Sequence, residues 1–202
     1  FMIVGMGMSY ALPPLIGEAD GSKDFSIVSK YFRHSLFVNL SFTALSITLL
    51  LIIIKNLHWI GLPKEVTEAT KPYLSISAWS MIPYMIFLTM RGVSDGFSKT
   101  SYAMGAILLG NVVNVVFNYL LIYGKFGFPA MGLEGAAVAS MIARIAMLMT
   151  LIYFLFKNEA LWPFIVEGYQ TALELPLVKK ILQLAIPSSL QMFFEASAFS
   201  IA

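Results

Sequence analysis

Residues 35–54 read SLFVNLSFTALSITLLLIII, twenty positions without one charged side chain. A helix rising about 1.5 Å per residue needs about 20 mainly apolar residues to cross roughly 30 Å of hydrocarbon. This run meets that requirement. Residues 72–90 and 100–124 supply two more charge-free runs, and 135–156 a fourth that carries Arg144 alone. One such run fits inside a large soluble core, but several in a 202-residue chain leave too little protein to cover them. Composition agrees: 58% of residues are hydrophobic and 12% charged, against about 25% charged in soluble domains. Barrel strands are shorter and alternate polar with apolar, so the expected class is an all-α polytopic membrane protein. Segments 1–17 and 181–202 read as cut spans, and the chain is expected to be a central piece of a longer protein.

With no cysteine, disulfides and thiolate metal sites are excluded. His34 and His58 both stand near segment ends, poor places for catalysis or metal binding. No nucleophile–base set is recognisable, so no enzyme and no cofactor are expected. A net charge of +2 is too small to imply a nucleic-acid partner. Its distribution is more informative. Connections 18–34, 91–99 and 157–180 hold eight Lys and Arg, whereas 55–71 and 124–134 hold four. Basic residues concentrate on the cytoplasmic side, so the first set is expected there. Connection 157–180 reads either as a boundary between two helix bundles or as a long surface loop. Trp162, Phe164 and Tyr169 suit a membrane interface, and Pro163 and Pro176 are expected to interrupt regular helix.

Several polar residues fall where hydrocarbon would surround them. Asn111, Asn114 and Asn118 recur at spacings of three and four, which places them on one side of a helix. Asparagine offers a carbonyl acceptor and an amide donor, so this stripe either joins a cation or proton-relay network or binds helix to helix. Ser140 and Arg144 are one turn apart, and Arg144 is too deep for comfortable snorkelling, so it needs an acid, carbonyls or water. Pro13, Pro14, Pro83 and Pro187 lie in or near apolar runs, where they bend helices and free carbonyls. Glu195 sits about 21 Å along a helix counted from Ile181. A carboxylate facing lipid there costs about 2.5–3.5 kcal/mol, so Glu195 is expected to face the bundle interior. It would bind Na+ or a proton there, or pair permanently with a group such as Arg144.

Segment 70–99 with its RGVSDG turn, the block NVVNVVFNYLLIYGKFGFPAMGLEGAAVASMIAR at 111–144, and LAIPSSLQMFFEASAF at 184–199 together resemble the MATE (multidrug and toxic compound extrusion) family. They are similar in order to its fourth helix and turn, its fifth and sixth helices, and its seventh helix. The resemblance implies a twelve-helix, two-lobe transporter of the wider MOP flippase superfamily. Residues 1–156 would then be the N-terminal lobe from late helix two, 157–180 the interlobe linker, and 181–202 the start of the C-terminal lobe. It also implies residue roles. Glu195 matches the seventh-helix acid implicated in cation coupling in NorM-like members, and Asn114 a fifth-helix asparagine. Asn118 stands where several relatives carry aspartate, and Ser140 where some carry threonine. The family's first-helix aspartate has no counterpart within this chain.

The implied activity is secondary antiport at a bacterial inner membrane. An amphipathic or cationic drug, or a toxic metabolite, would leave in exchange for Na+ or H+. Glu195 would take the monovalent cation, with Asn114, Asn118 and Ser140 around it and Asn111 and Arg144 as network residues. The lipid bilayer is the expected surrounding, and no obligate protein partner is indicated. The alternatives are a flippase for lipid-linked precursors and a membrane assembly subunit.

Overall fold

A computed structural model describes residues 2–57, 63–170 and 172–201, without the side chains of 169 and 199–201. His58 lies outside the described residues. The described chain is helical: α1 Met2–Ser9, α2 Leu12–Ser22, α3 Val28–Lys55, α4 Lys64–Trp79, α5 Met81–Gly96, α6 Thr100–Tyr123, α7 Gly132–Phe156, α8 Trp162–Gln170 and α9 Leu175–Ile201. A 3-10 turn at Phe25–Ile27 leads into α3. Among the described residues, four stretches are long and apolar enough to cross a membrane: Phe25–Lys55, Lys64–Gly96, Thr100–Tyr123 and Gly132–Phe156. Each coincides with one of the four runs expected to span: three extend beyond the expected run, and Thr100–Tyr123 ends one residue short of it.

Proline explains where the apolar stretches break. Its ring clashes with the carbonyl four residues earlier, and α4 ends at Trp79, four residues before Pro83. Ser80 forms the joint between α4 and α5. The chain likewise breaks between α1 and α2 just before Pro13 and Pro14, which occupy the opening turn of α2. Pro163 and Pro176 do not interrupt helices as expected. Each is the second residue of its helix, α8 and α9. A proline in the first turn gives up an N–H that has no partner inside the helix, so the same residue can start a helix or break one.

The outer surface is apolar. Val112, Val115 and Tyr119 of α6 are exposed, Val115 at 68%, while Asn114 and Asn118 on the same helix are half-buried. That inverts the pattern of a soluble helix and matches a lipid-facing one. The bundle core gathers Leu12 and Ile16 of α2, Phe32 of α3, and Met81, Met85 and Phe87 of α5. The helices of α6 and α7 form the most extensive pair. A Cβ on Gly135 would lie 2.8 Å from the Leu121 carbonyl, so glycine there sets how closely these helices approach. Helix α9 lies on α1 with the same economy. A Cβ on Gly7 would lie 2.4 Å from the Ser189 Cα, and the Ser189 hydroxyl donates to the Val4 carbonyl at 3.1 Å.

Three connections grouped by charge meet at one end of the bundle. Phe25, Phe97 and Phe164, one from each, stack with centroids 5.6–6.4 Å apart. The 157–180 connection is also clasped to the start of α3. Ser29 donates to Glu167 at 2.8 Å, and Lys30 to Glu174 at 2.7 Å. Lys180 donates to the Tyr31 hydroxyl at 2.8 Å. His34, fully buried, lies 2.6 Å from the Lys30 carbonyl through Nδ1 and accepts the Glu174 N–H on Nε2 at 2.7 Å. A carbonyl needs a donor and an N–H needs a lone pair, so the partners assign a neutral ring with its proton on Nδ1.

Candidate functional site

Helices α1, α5, α6 and α7 enclose a cavity of about 310 Å³. Asn111 and Asn114 line it from α6, and Ser140 and Arg144 from α7. Four of the six polar residues singled out in the sequence therefore share one space. Asn118 joins it at one remove: its Nδ2 donates to the Asn114 Oδ1 at 2.9 Å. Asn114 Nδ2 in turn lies 3.5 Å from the Ser140 hydroxyl, at the long limit for a hydrogen bond. The asparagine stripe thus faces both a neighbouring helix and open space, so its binding role between helices and its polar lining role coexist.

Arg144 lies twelve residues from either end of α7, about 18 Å along the axis from each. Its Nη1 donates to the Ser80 hydroxyl, and its Nη2 lies 3.2 Å from the Met2 sulfur. The guanidinium stands over the Tyr84 ring, 5.2 Å from its centroid. Ser80 and Tyr84 are contacts of Arg144 that the sequence did not single out. The signal for both was Pro83. By ending α4 at Trp79 it creates the joint that presents Ser80 to Arg144, and it starts the helix that carries Tyr84.

Glu195 lies elsewhere. It is exposed on α9 and accepts a bond from Gln191 Nε2 at 2.9 Å. The expectation of an interior position does not hold within the described bundle. Helix α9 meets that bundle through Ile181, Ala185 and Ser189, which are buried. Glu195 lies off that stripe, because its place is set by the 3.6-residue period and not by depth alone. It is also not among the printed partners of Arg144, whose contacts are Ser80, Met2 and Tyr84. Among the described residues no group of three or more His, Asp or Glu is arranged to hold a metal.

Other polar residues inside the bundle bond to one another, while Arg33 Nε and Ser35 Oγ are buried without a hydrogen-bond partner. Asn39 donates to Ser9 at 3.2 Å and to Thr89 at 2.8 Å, which ties α3 to α1 and α5. Arg91 donates to Asp95, one turn on, at 2.9 Å, and this pair is the structural content of the RGVSDG turn.

Known proteins share part of this sequence and its fold. A probable multidrug resistance protein NorM of Halalkalibacterium halodurans is 32% identical over 198 residues, 96% of this chain and 43% of its own length. Multidrug resistance protein MdtK of Pectobacterium atrosepticum is 26% identical over 206 residues, covering 99% of this chain and 44% of its own. The chain thus spans well under half the length of these curated relatives. Among solved structures, an outward-facing multidrug resistance MATE family transporter of the MOP superfamily superposes with a TM-score of 0.83 at 22% identity. That match covers 98% of this chain and 43% of the other. An inward-facing structure of such a transporter matches with a TM-score of 0.81 at 22% identity, over 94% and 42%. The apolar spans and the bacterial relatives make this an integral protein of the bacterial inner membrane. The MatE family model matches residues 1–120, more than half of the chain, and the chain belongs to that family.

Proposed function

We propose that the full-length protein is a secondary antiporter that exports amphipathic or cationic compounds in exchange for Na+ or H+. The observation that carries this reading is the cavity between α1, α5, α6 and α7, lined at mid-membrane by Asn111, Asn114, Ser140 and Arg144. Polar side chains at that depth persist where they face a water-filled pathway or one another, and these do both. The family's multidrug resistance relatives give the class of cargo.

In this reading α1–α7 belong to one lobe of a twelve-helix, two-lobe transporter, 157–180 is the linker, and α9 opens the second lobe. The lobes rock about the cavity. The near-equal superposition on an outward-facing and an inward-facing relative supports a lobe that moves as one body. The end where Phe25, Phe97 and Phe164 stack faces the cytoplasm, as the excess of Lys and Arg in those connections implies.

Glu195 accepts the coupling ion. Its carboxylate lies on the free face of α9, where the second lobe closes over it, and one neutral amide, Gln191, bonds it in place. Asn114, Asn118 and Ser140 shape the cavity through which drug and ion influence each other. Coupling requires that the two favour different arrangements of the lobes or compete for shared groups.

Proteoliposomes of the full-length protein test this. Glu195→Gln keeps the size and one acceptor but removes the charge, so export driven by a Na+ or H+ gradient falls at least about tenfold while insertion and yield hold. Unchanged gradient-driven flux in that variant removes Glu195 from the coupling step.

A further inference from the structure

His34 lies within the first two turns of α3 and is fully buried. Both of its ring nitrogens are engaged. Nδ1 donates to the Lys30 carbonyl at 2.6 Å, and Nε2 accepts the Glu174 N–H at 2.7 Å. The first bond stays within α3, whereas the second joins residues 140 positions apart. Glu174 is also where α9 begins, since its carbonyl accepts the Leu177 and Val178 N–H groups at 3.1 and 3.2 Å. One lone pair of His34 therefore holds the root of α9 to α3, beside the Lys30–Glu174 ion pair.

That lone pair exists only in the neutral ring. A proton on Nε2 would set two N–H groups against each other, orphan the Glu174 amide and put a charge into a fully buried site. Withdrawing the connection relieves all three costs, because water then reaches both the ring and the amide. The closed contact excludes the proton, so it is favoured at higher pH and lost as pH falls. Histidine is the side chain whose charge changes in the physiological range. The charged groups around it do not cancel this. The Glu174 carboxylate favours a charged ring, but it is 43% exposed and already bonded to Lys30. Helix α3 adds the cations Lys30 and Arg33, and the Arg33 Nε is itself buried without an acceptor. From α9 come Lys179, which is exposed, and Lys180, which donates to the Tyr31 hydroxyl and lies 3.9 Å from Glu18 of α2. Glu167 of α8 accepts from Ser29, Asp24 ahead of α3 accepts from Ser26, and Asp95 of α5 accepts from Arg91. Helix α1 carries no charge, and the charges of α4 fall in its first eight residues, beside the far end of α3.

We propose that His34 is a pH-operated latch. Neutral, it pins the start of α9 and the end of the 157–180 connection to α3. Protonated on Nε2 from the cytoplasmic side, it lets them go, and the proton leaves again when the contact closes. The latch rests on these bonds and not on the transport reading. Within that reading, it sets how tightly the linker between the lobes is tied to the first lobe.

The test reads the Glu174 amide itself. Full-length protein in lipid nanodiscs is followed by hydrogen–deuterium exchange over residues 172–178, between about pH 8 and pH 5. Each rate is divided by that of the unfolded peptide at the same pH. Wild type should lose protection at least about tenfold across that range. The bond from Lys30 holds the Glu174 carboxyl below the usual carboxylate range, so the ion pair persists there and the loss belongs to the ring. His34→Gln keeps an acceptor for the amide and a donor for the carbonyl but cannot titrate, and its protection should stay flat. Lys30→Met should lower protection at every pH and leave the wild-type step in place. A flat wild-type profile overturns the proposal whatever the variants do. So does a step that persists in His34→Gln or vanishes in Lys30→Met. Gradient-driven export, measured on the same preparations, keeps the two readings apart. A protein that shows the step and exports nothing counts against the transport reading, and one that exports without a step counts against the latch.

Discussion

Two polar regions of the molecule differ in how closely their groups are bonded. At the end of the bundle, Ser29, Lys30, Tyr31 and His34 hold the 157–180 connection through bonds of 2.7–2.8 Å. The acids there have cations or hydroxyls, and the one buried imidazole has a donor on one side and an acceptor on the other. In the cavity, by contrast, Arg144 has a hydroxyl, a sulfur and a ring, and the Asn114–Ser140 contact is stretched to 3.5 Å. Both regions are built from residues rare inside membranes. Bond geometry separates them: short bonds fix the connection, although Arg33 Nε and Ser35 Oγ beside them are buried without a hydrogen-bond partner, whereas the cavity residues meet through longer and softer contacts.

The sharpest way to break this contrast is at His34. Substituting alanine leaves the Glu174 N–H and the Lys30 carbonyl facing a space with no side-chain partner. One buried unsatisfied group costs about 1–3 kcal/mol, so His34→Ala should lower stability by about 2–4 kcal/mol once the lost packing is added. Denaturation in detergent measures it. Affinity of the cavity for its ligands should change little, because no cavity residue touches the clasp. A stable His34→Ala protein would mean that the clasp is incidental. A variant that stays folded but loses ligand binding would mean that the two regions are one.

A smaller effect is expected in the cavity. Hydrogen bonds between membrane helices average about 0.6 kcal/mol and reach about 1.7 kcal/mol. A double-mutant cycle on Asn114→Ala and Asn118→Ala should return a coupling in that range, for their 2.9 Å bond. The same cycle on Asn114→Ala and Ser140→Ala should return close to zero, because 3.5 Å is at the geometric limit. Export, in contrast, should fall severalfold in Asn114→Ala. A large Asn114–Ser140 coupling would make the pair a structural bond, and the cavity would then resemble the clasp.

Much of this was legible in the sequence, and the remainder has a definite physical reason. Charge-free runs located the four spans, because a membrane imposes length and polarity together. The three-and-four spacing put Asn111, Asn114 and Asn118 on one side of α6, and the one-turn spacing of Ser140 and Arg144 put them into the same cavity. Both periods are local properties of a helix. The Ser80 contact was not legible, since it joins residues 64 positions apart across a proline break. Nor was the bond from Ser29 to Glu167, 138 positions apart. Glu195 shows the limit of depth alone: counting rise gave its level in the membrane, but its direction depends on which stripe of α9 packs against α1.

The gentlest way to loosen the clasp without mutation is acid, and the sign follows from Glu174. Its bond from Lys30 holds the carboxyl below the usual carboxylate range, near 4.3 when unperturbed. A group whose folded value is depressed adds stability above its unfolded value and loses it as pH falls through the folded one. Lys30–Glu174 therefore contributes fully at neutral pH, and its contribution fades as pH falls from the ordinary carboxylate value through the lowered one. Both side chains are about two-fifths exposed, at 42% and 43%, so the effect is small and weakened by salt. Limited proteolysis within 157–180 reads it directly. Lys30→Met should raise the cleavage rate at neutral pH and leave it nearly unchanged at pH values where Glu174 is already protonated. An equal rise at both ends of the range would place the strength of the clasp in its buried imidazole rather than in this ion pair.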